Sequence, residues 1–193
     1  MLNNFRIFDS SWSKRVLVAL LIASILLIPV HTKKEEMPVV EKIELDKYLG
    51  KWYEIARKPF LFQKKCYSNV SAKYSLNDNA NINVDNSCYS KDGKLRQAIG
   101  EAFTQNPPFN SKLKVSFLPK AIRFLPIGRG DYWILKIDDN YQTVLVGGPS
   151  RKYMWILSRS QNHDEIVVQD YLDYAKEIGF DVSDIIMTKQ TNE

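Results

Sequence analysis

The stretch Tyr48 to Arg57, "YLGKWYEIAR", places a glycine two residues ahead of a tryptophan and then alternates apolar with polar or charged residues. A period of two is the mark of a strand with one face buried, because successive side chains leave a strand on opposite sides. Trp52 therefore decides which face is inward. Downstream the same period repeats with turn residues at short intervals: "NVSAKYSL" (69–76), the turn Asn77 to Ala80, then "NINVDNSCYS" (81–90). Asp and Asn tolerate turn backbone, so this pair reads as a hairpin. After the turn Lys91 to Lys94 come "LRQAIGEAFT" (95–104), a Pro107-Pro108 break and "KLKVSFLP" (112–119), then a loop with Pro126, Gly128 and Gly130. "DYWILKID" (131–138), "YQTVLVGG" (141–148) and "KYMWILSR" (152–159) complete a set of eight strands.

The period changes only once. Val168, Tyr171, Leu172, Ala175 and Ile178 recur at spacings of three and four between Asp164 and Ile178, which predicts an amphipathic helix with one buried stripe. Gly179 stands where the chain must leave that helix. A short final strand, "DIIMTK", is expected to pair with a sheet edge. Eight sequential antiparallel strands and one late helix predict an up-and-down barrel with the helix outside, wide enough for packed side chains or one small ligand.

The first residues read as an address. Arg6, Lys14 and Arg15 precede fifteen uncharged residues, Val16 to Val30, followed by "HTKKEE". A basic segment and then an apolar one is the pattern of a secretory signal. The run is shorter than the ~20 residues a spanning helix needs, and no small-x-small triplet ends it. An uncleaved anchor with the domain exported is the expectation, with Lys14 and Arg15 on the cytoplasmic side. No cysteine lies near this boundary to carry a lipid. The expected organisation is 1–32 signal or anchor, 33–42 linker, 43–187 barrel and 188–193 tail.

Without Arg6, Lys14, Arg15 and Asp9 the net charge of +5 falls to +3 for residues 33 to 193, scattered along the chain. That distribution argues against a nucleic-acid surface. The only two cysteines, Cys66 and Cys88, read as a disulfide in an exported chain. Folding the hairpin about Asn77 to Ala80 brings them to roughly facing positions. Metal binding is the other reading, but two cysteines without a nearby histidine make a poor ligand set.

Gly50 and Trp52 opening the first strand, "GDYWILKID" in the sixth, and Arg159 closing "WILSR" in the eighth resemble the three signature regions of the lipocalins. "AKYSL" and "LKVSF" appear in the expected order between them, and the likeness extends to the bacterial outer-membrane lipoprotein type and to apolipoprotein D. It covers residues 43 to 187. It implies a lipocalin calyx in which Trp52 plugs the closed end, Arg159 lies across its indole and Gly50 gives the chain room to turn. All three are then structural.

Function is expected at the open end. Alternation from Trp52, in agreement with the family pattern, puts inward Val70, Ala72, Tyr74, Val84, Asn86, Leu113, Val115, Phe117, Tyr132, Ile134, Leu145, Tyr153, Trp155 and Leu157. Leu157 reads as core filling and the others as candidates for an acyl chain, with tyrosine hydroxyls and Asn86 for a carbonyl or head group. Arg57, Lys58, Lys64 and Lys65 flank the loop "KPFLFQKK", whose aromatics are expected to cover a ligand or touch a bilayer. The reading is a non-enzymatic carrier of a fatty acid or lysophospholipid in the bacterial cell envelope, with no cofactor, metal or catalytic residue. A membrane-tethered interaction protein, with a homodimer as one form, is the alternative. An isomerase is a further one, but the inward set holds no carboxylate, and the two histidines, His31 and His163, lie elsewhere.

Overall fold

The computed structural model describes residues 36–191. The expected signal or anchor falls outside the described residues. Among them, no helix is long and apolar enough to cross a membrane.

The chain begins with a single helical turn, α1 (Leu45–Tyr48), and then forms β1 (Gly50–Arg57), β2 (Ser68–Leu76), β3 (Ile82–Tyr89), β4 (Leu95–Thr104), β5 (Lys112–Ser116), β6 (Arg129–Ile137), β7 (Thr143–Gly147) and β8 (Met154–Ser158). Each strand pairs antiparallel with the next. β1 pairs both with β2, through Trp52↔Ala72, and with β8, through Glu54↔Leu157, so the sheet closes on itself. The expected eight-stranded barrel is thus present, with every edge paired to the next. The hairpin at 77–81 forms as its residues predict: the Asn77 side-chain carbonyl accepts from the amides of Asn79 and Asn81.

One addition was legible only as a fragment. β9 (Ile186–Met187) pairs with Ala56 and Arg57 of β1, and Ser68 of β2 bridges to Lys189. The C-terminal segment therefore enters the gap where β1 and β2 splay. Gln190 bridges that gap by donating to the carbonyls of Glu54 (2.8 Å) and Val70 (2.9 Å).

The two faces of the barrel bury separate cores. Inside lie Trp52, Val84, Leu113, Ile134, Val144, Val146 and their neighbours. Outside, α2 (Glu165–Glu177) lays Val168, Tyr171 and Ala175 on Ile55, Leu135, Leu145, Met154 and Ile156. Asp164 caps α2 by accepting from the Ile166 amide at 2.8 Å, and Gly179 ends it with a φ of +90°.

Leu145 departs from the cavity position that alternation predicts: it packs under α2, while Val144 and Val146 face inward. Because α2 covers β7 from outside, both of that strand's faces are apolar, and alternation of polarity has nothing to read.

Trp52 is fully buried at the closed end. Its indole N–H donates to the Tyr48 carbonyl at 2.8 Å, and the Arg159 guanidinium sits 3.9 Å from the ring centre. That guanidinium also donates to the carbonyls of Lys47 (2.7 Å), Leu49 (2.9 Å) and Lys51 (2.8 Å), tying α1 and the start of β1 to the end of β8. Gly50 makes the turn between them at a φ of +97°, and a Cβ there would lie 3.3 Å from Arg159 Nη1. Glycine is required for both reasons.

Candidate ligand-binding site

The barrel opens, at the end opposite Trp52, into a cavity of about 1010 Å³, at the upper end of what small-molecule sites occupy. Its wall is built from inward positions of paired strands. Val70, Ala72 and Tyr74 of β2, Val84 and Asn86 of β3, Leu113 and Val115 of β5, Tyr132 of β6 and Trp155 of β8 line it, as do Phe117, Tyr153 and Leu157. Ile134 and Leu145 do not. Ile134 is fully buried in the inner core beside Trp52, and Leu145 lies outside the barrel.

Sequence reasoning passed over β4. Its Arg96, Ala98 and Ala102 line the cavity, opposite Cys88, Asn86 and Ile82 of β3. Residues facing each other across an antiparallel pair share a face, so β3's inward set already pointed to them. The polarity of "LRQAIGEAFT" concealed this, because two of its large apolar residues, Leu95 and Ile99, are exposed. Small inward residues here are what leave the cavity wide.

The loop after β1 closes part of the mouth. A 3-10 turn at Leu61–Gln63 points Gln63 inward, where its amide donates to Glu54 Oε2 (2.7 Å) and accepts from the Trp155 indole (2.9 Å). Phe60 packs edge-on against Tyr153 and Trp155, with centroids 4.9 and 5.5 Å away. Glu54 is a second residue the sequence did not reveal, a carboxylate on the cavity wall that is almost fully buried. Burial pushes its pKa up; bonds from Thr188 and Gln63 and the Arg57 cation oppose that shift. Arg57 Nε lies 3.1 Å from Glu54 Oε1, an ion pair without hydrogen-bond alignment.

This arrangement redistributes the basic residues of the loop. Arg57 is committed to Glu54, and Lys58 is buried against Asp184 and the Asp181 carbonyl. Lys65 does line the mouth. The disulfide Cys66–Cys88, with Cα atoms 5.5 Å apart, ties Lys65's loop to β3, and Cys88 in turn faces Arg96. One covalent link thus gathers two cations, Lys65 and Arg96, on one side of the mouth. Neither has an ion-pair partner among the described residues.

At the cavity floor three phenols meet. Tyr132 Oη lies 2.7 Å from Tyr48 Oη and 3.0 Å from Tyr74 Oη. Burial raises all three pKa values, that of Tyr74 to about 12. Halfway up the wall, Asn86 Oδ1 is buried with no hydrogen-bond partner among the described residues. The site is therefore an apolar tube with cations at its mouth, an amide midway and neutral hydroxyls at its base.

The Lipocalin-like domain family matches residues 43–190. The chain belongs to the lipocalin family. Temperature-induced lipocalin-1 of Arabidopsis thaliana is 40% identical over 163 residues, 83% of this chain and 87% of that protein. The Outer membrane lipoprotein Blc of Escherichia coli is 39% identical over 160 residues, 82% of this chain and 86% of that one. Apolipoprotein D of Bos taurus is 34% identical, covering 80% of this lipocalin and 81% of the relative. Among solved structures, insecticyanin of the tobacco hornworm Manduca sexta superposes with a TM-score of 0.62 at 21% identity, over 82% of this chain and 86% of its own. At that identity the likeness speaks for the fold.

Proposed function

We propose that this lipocalin binds a single-chain amphiphile with an anionic head, a fatty acid or lysophospholipid, and carries or stores it in the bacterial cell envelope. The observation that carries the reading is the open apolar cavity with two cations at its mouth, Lys65 and Arg96, that have no ion-pair partner among the described residues. An acyl chain entering it loses water from its whole length at about 25 cal/mol per Å², while the head meets the cations at the rim. Family membership supports a small hydrophobic ligand. The envelope is supported by the Escherichia coli relative, named an outer membrane lipoprotein, by the disulfide, and by the basic and apolar pattern of residues 6–30.

Binding rather than catalysis is favoured by how the cavity carboxylates are engaged. Glu54 is held by Thr188, Gln63 and Arg57, and Asp131 by Lys114 at 2.9 Å. Exposed Leu61, Phe62, Phe124 and Ile127, with Lys64 and Lys120, stand on the loops that form the mouth. They suit contact with an anionic membrane surface from which cargo is taken.

The test compares the full-length protein with a Lys65→Glu/Arg96→Glu variant, using a fluorescent fatty acid and its uncharged alcohol. Charge reversal at two rim sites is expected to weaken the acid about tenfold, from ~0.2–1 kcal/mol per exposed pair doubled by reversal. The alcohol should be unaffected. Equal losses for both probes would remove the anionic head from the proposal.

A further inference from the structure

The three phenols at the cavity floor carry a count that the rest of the site does not. Tyr48 comes from the end of α1, Tyr74 from β2 and Tyr132 from β6, so the barrel's closure brings them together. Each phenol has one proton to donate. Two hydrogen bonds join the three oxygens, Tyr48 to Tyr132 and Tyr132 to Tyr74. Whichever way the chain of donors runs, two protons are used and one is left. No other partner receives it among the described residues, although all three tyrosines line the cavity. Tyr132 keeps part of its surface open to that space, whereas Tyr48 and Tyr74 are buried.

The surroundings decide what the spare donor suits. Val84, Leu113 and Leu157 are apolar neighbours in the same inner core. Arg159, whose charge acts on Tyr48 and Tyr74, lies across Trp52 and is occupied by the carbonyls of Lys47, Leu49 and Lys51. An anion brought to this depth would be desolvated without a counter-charge, which is strongly unfavourable. A saturated methyl end would leave the phenol proton unpaired in a dry site, also unfavourable. A neutral carbonyl oxygen meets both conditions. The phenols stay neutral donors at physiological pH, since burial holds their pKa values above the usual tyrosine range.

We infer that the tyrosine cluster is a second polar subsite, selecting a cargo whose deeply buried end carries a neutral hydrogen-bond acceptor, a ketone, aldehyde or ester carbonyl. This rests on the reading that an anionic head remains at the mouth. The preferred cargo is then polar at both ends: an oxidised or otherwise oxo-functionalised acyl chain rather than a plain one.

The test titrates the full-length, delipidated protein with stearic acid and with its analogue bearing a ketone at the penultimate carbon. Shorter and longer homologues vary the depth reached. One length of the ketone series is expected to bind about fivefold tighter than its parent acid, the factor for one net hydrogen bond. Isotope-edited infrared spectroscopy of the bound, 13C-labelled ketone should show a carbonyl stretch shifted to lower frequency. In a Tyr48→Phe/Tyr74→Phe/Tyr132→Phe variant the preference for the ketone over its parent acid and the carbonyl shift should both vanish. The infrared measurement on the unmodified protein decides the matter even where that variant does not fold. Stearic acid binding with no ketone preference at any length, and an unshifted carbonyl, would overturn the subsite while leaving the carrier reading intact. Failure of every acid to bind would overturn both.

Discussion

Replacing Arg159 by Met removes a guanidinium while keeping a flexible apolar side chain over Trp52. The arginine donates to the carbonyls of Lys47, Tyr48, Leu49 and Lys51 at 2.7 to 3.1 Å and covers the indole at 3.9 Å. Tyr48's carbonyl keeps its bond from the Trp52 indole, so the carbonyls of Lys47, Leu49 and Lys51 lose this donor. Counting ~1 kcal/mol for each of about three carbonyls left without this donor, and about 0.5 to 1 for the cation–π contact, gives a loss of ~3–4 kcal/mol. For a domain of this size that corresponds to a fall of about 10 °C in Tm. Arg159→Lys should recover less than half of it, because an ammonium cannot serve carbonyls on several sides as the planar fork does. Urea unfolding followed by tryptophan fluorescence, with a common slope for all variants, measures the difference. Fatty-acid affinity should stay within about twofold, the cavity being at the other end. A loss under 1 kcal/mol, or full rescue by lysine, would refute the claim that this residue fastens the closed end.

Two further outcomes follow from buried charge. Glu54→Gln should destabilise the fold by about 3 kcal/mol in urea unfolding, although burial disfavours the Glu54 carboxylate, because it leaves buried Arg57 without its counter-ion. The floor tyrosines set an alkaline limit: their folded pKa values lie above the ordinary value of 10.0, so above pH ~10 the unfolded chain loses phenolic protons first. The folded state then holds more protons, and stability falls as pH rises towards about 12. Phenolate absorbance from these residues should therefore appear together with loss of near-UV circular dichroism; earlier ionisation in a folded barrel would contradict their burial.

The barrel was readable because most strands show one polar and one apolar face, and because Trp52 fixes the register of the first. Cys66 and Cys88 were readable from their places flanking a recognisable hairpin turn. Alternation failed where α2 covers the sheet: Leu145 and Val146 are both buried, and their polarity does not say which looks inward. It failed in the opposite sense on β4, where exposed Leu95 and Ile99 drew attention from inward Arg96 and Ala98. Glu54 was hidden because a carboxylate on a strand reads as solvent-facing. Its burial depends on Gln63 and Thr188, residues 9 and 134 positions away. The tyrosine cluster assembles from three distant segments: Tyr74 and Tyr132 were legible as inward-facing, whereas Tyr48, at the end of α1, and the contact among the three were not.

The central claim is that the cavity holds the ligand, and Ala98→Trp tests it most directly. Ala98 is exposed within the cavity wall, so an indole there fills space without displacing core. Native mass spectrometry of the full-length protein with a fatty acid should show one equivalent bound to the unmodified chain and none to the variant, both equally resistant to urea. Equal occupancy of the two, or none in either, would place the ligand elsewhere or remove it from the account.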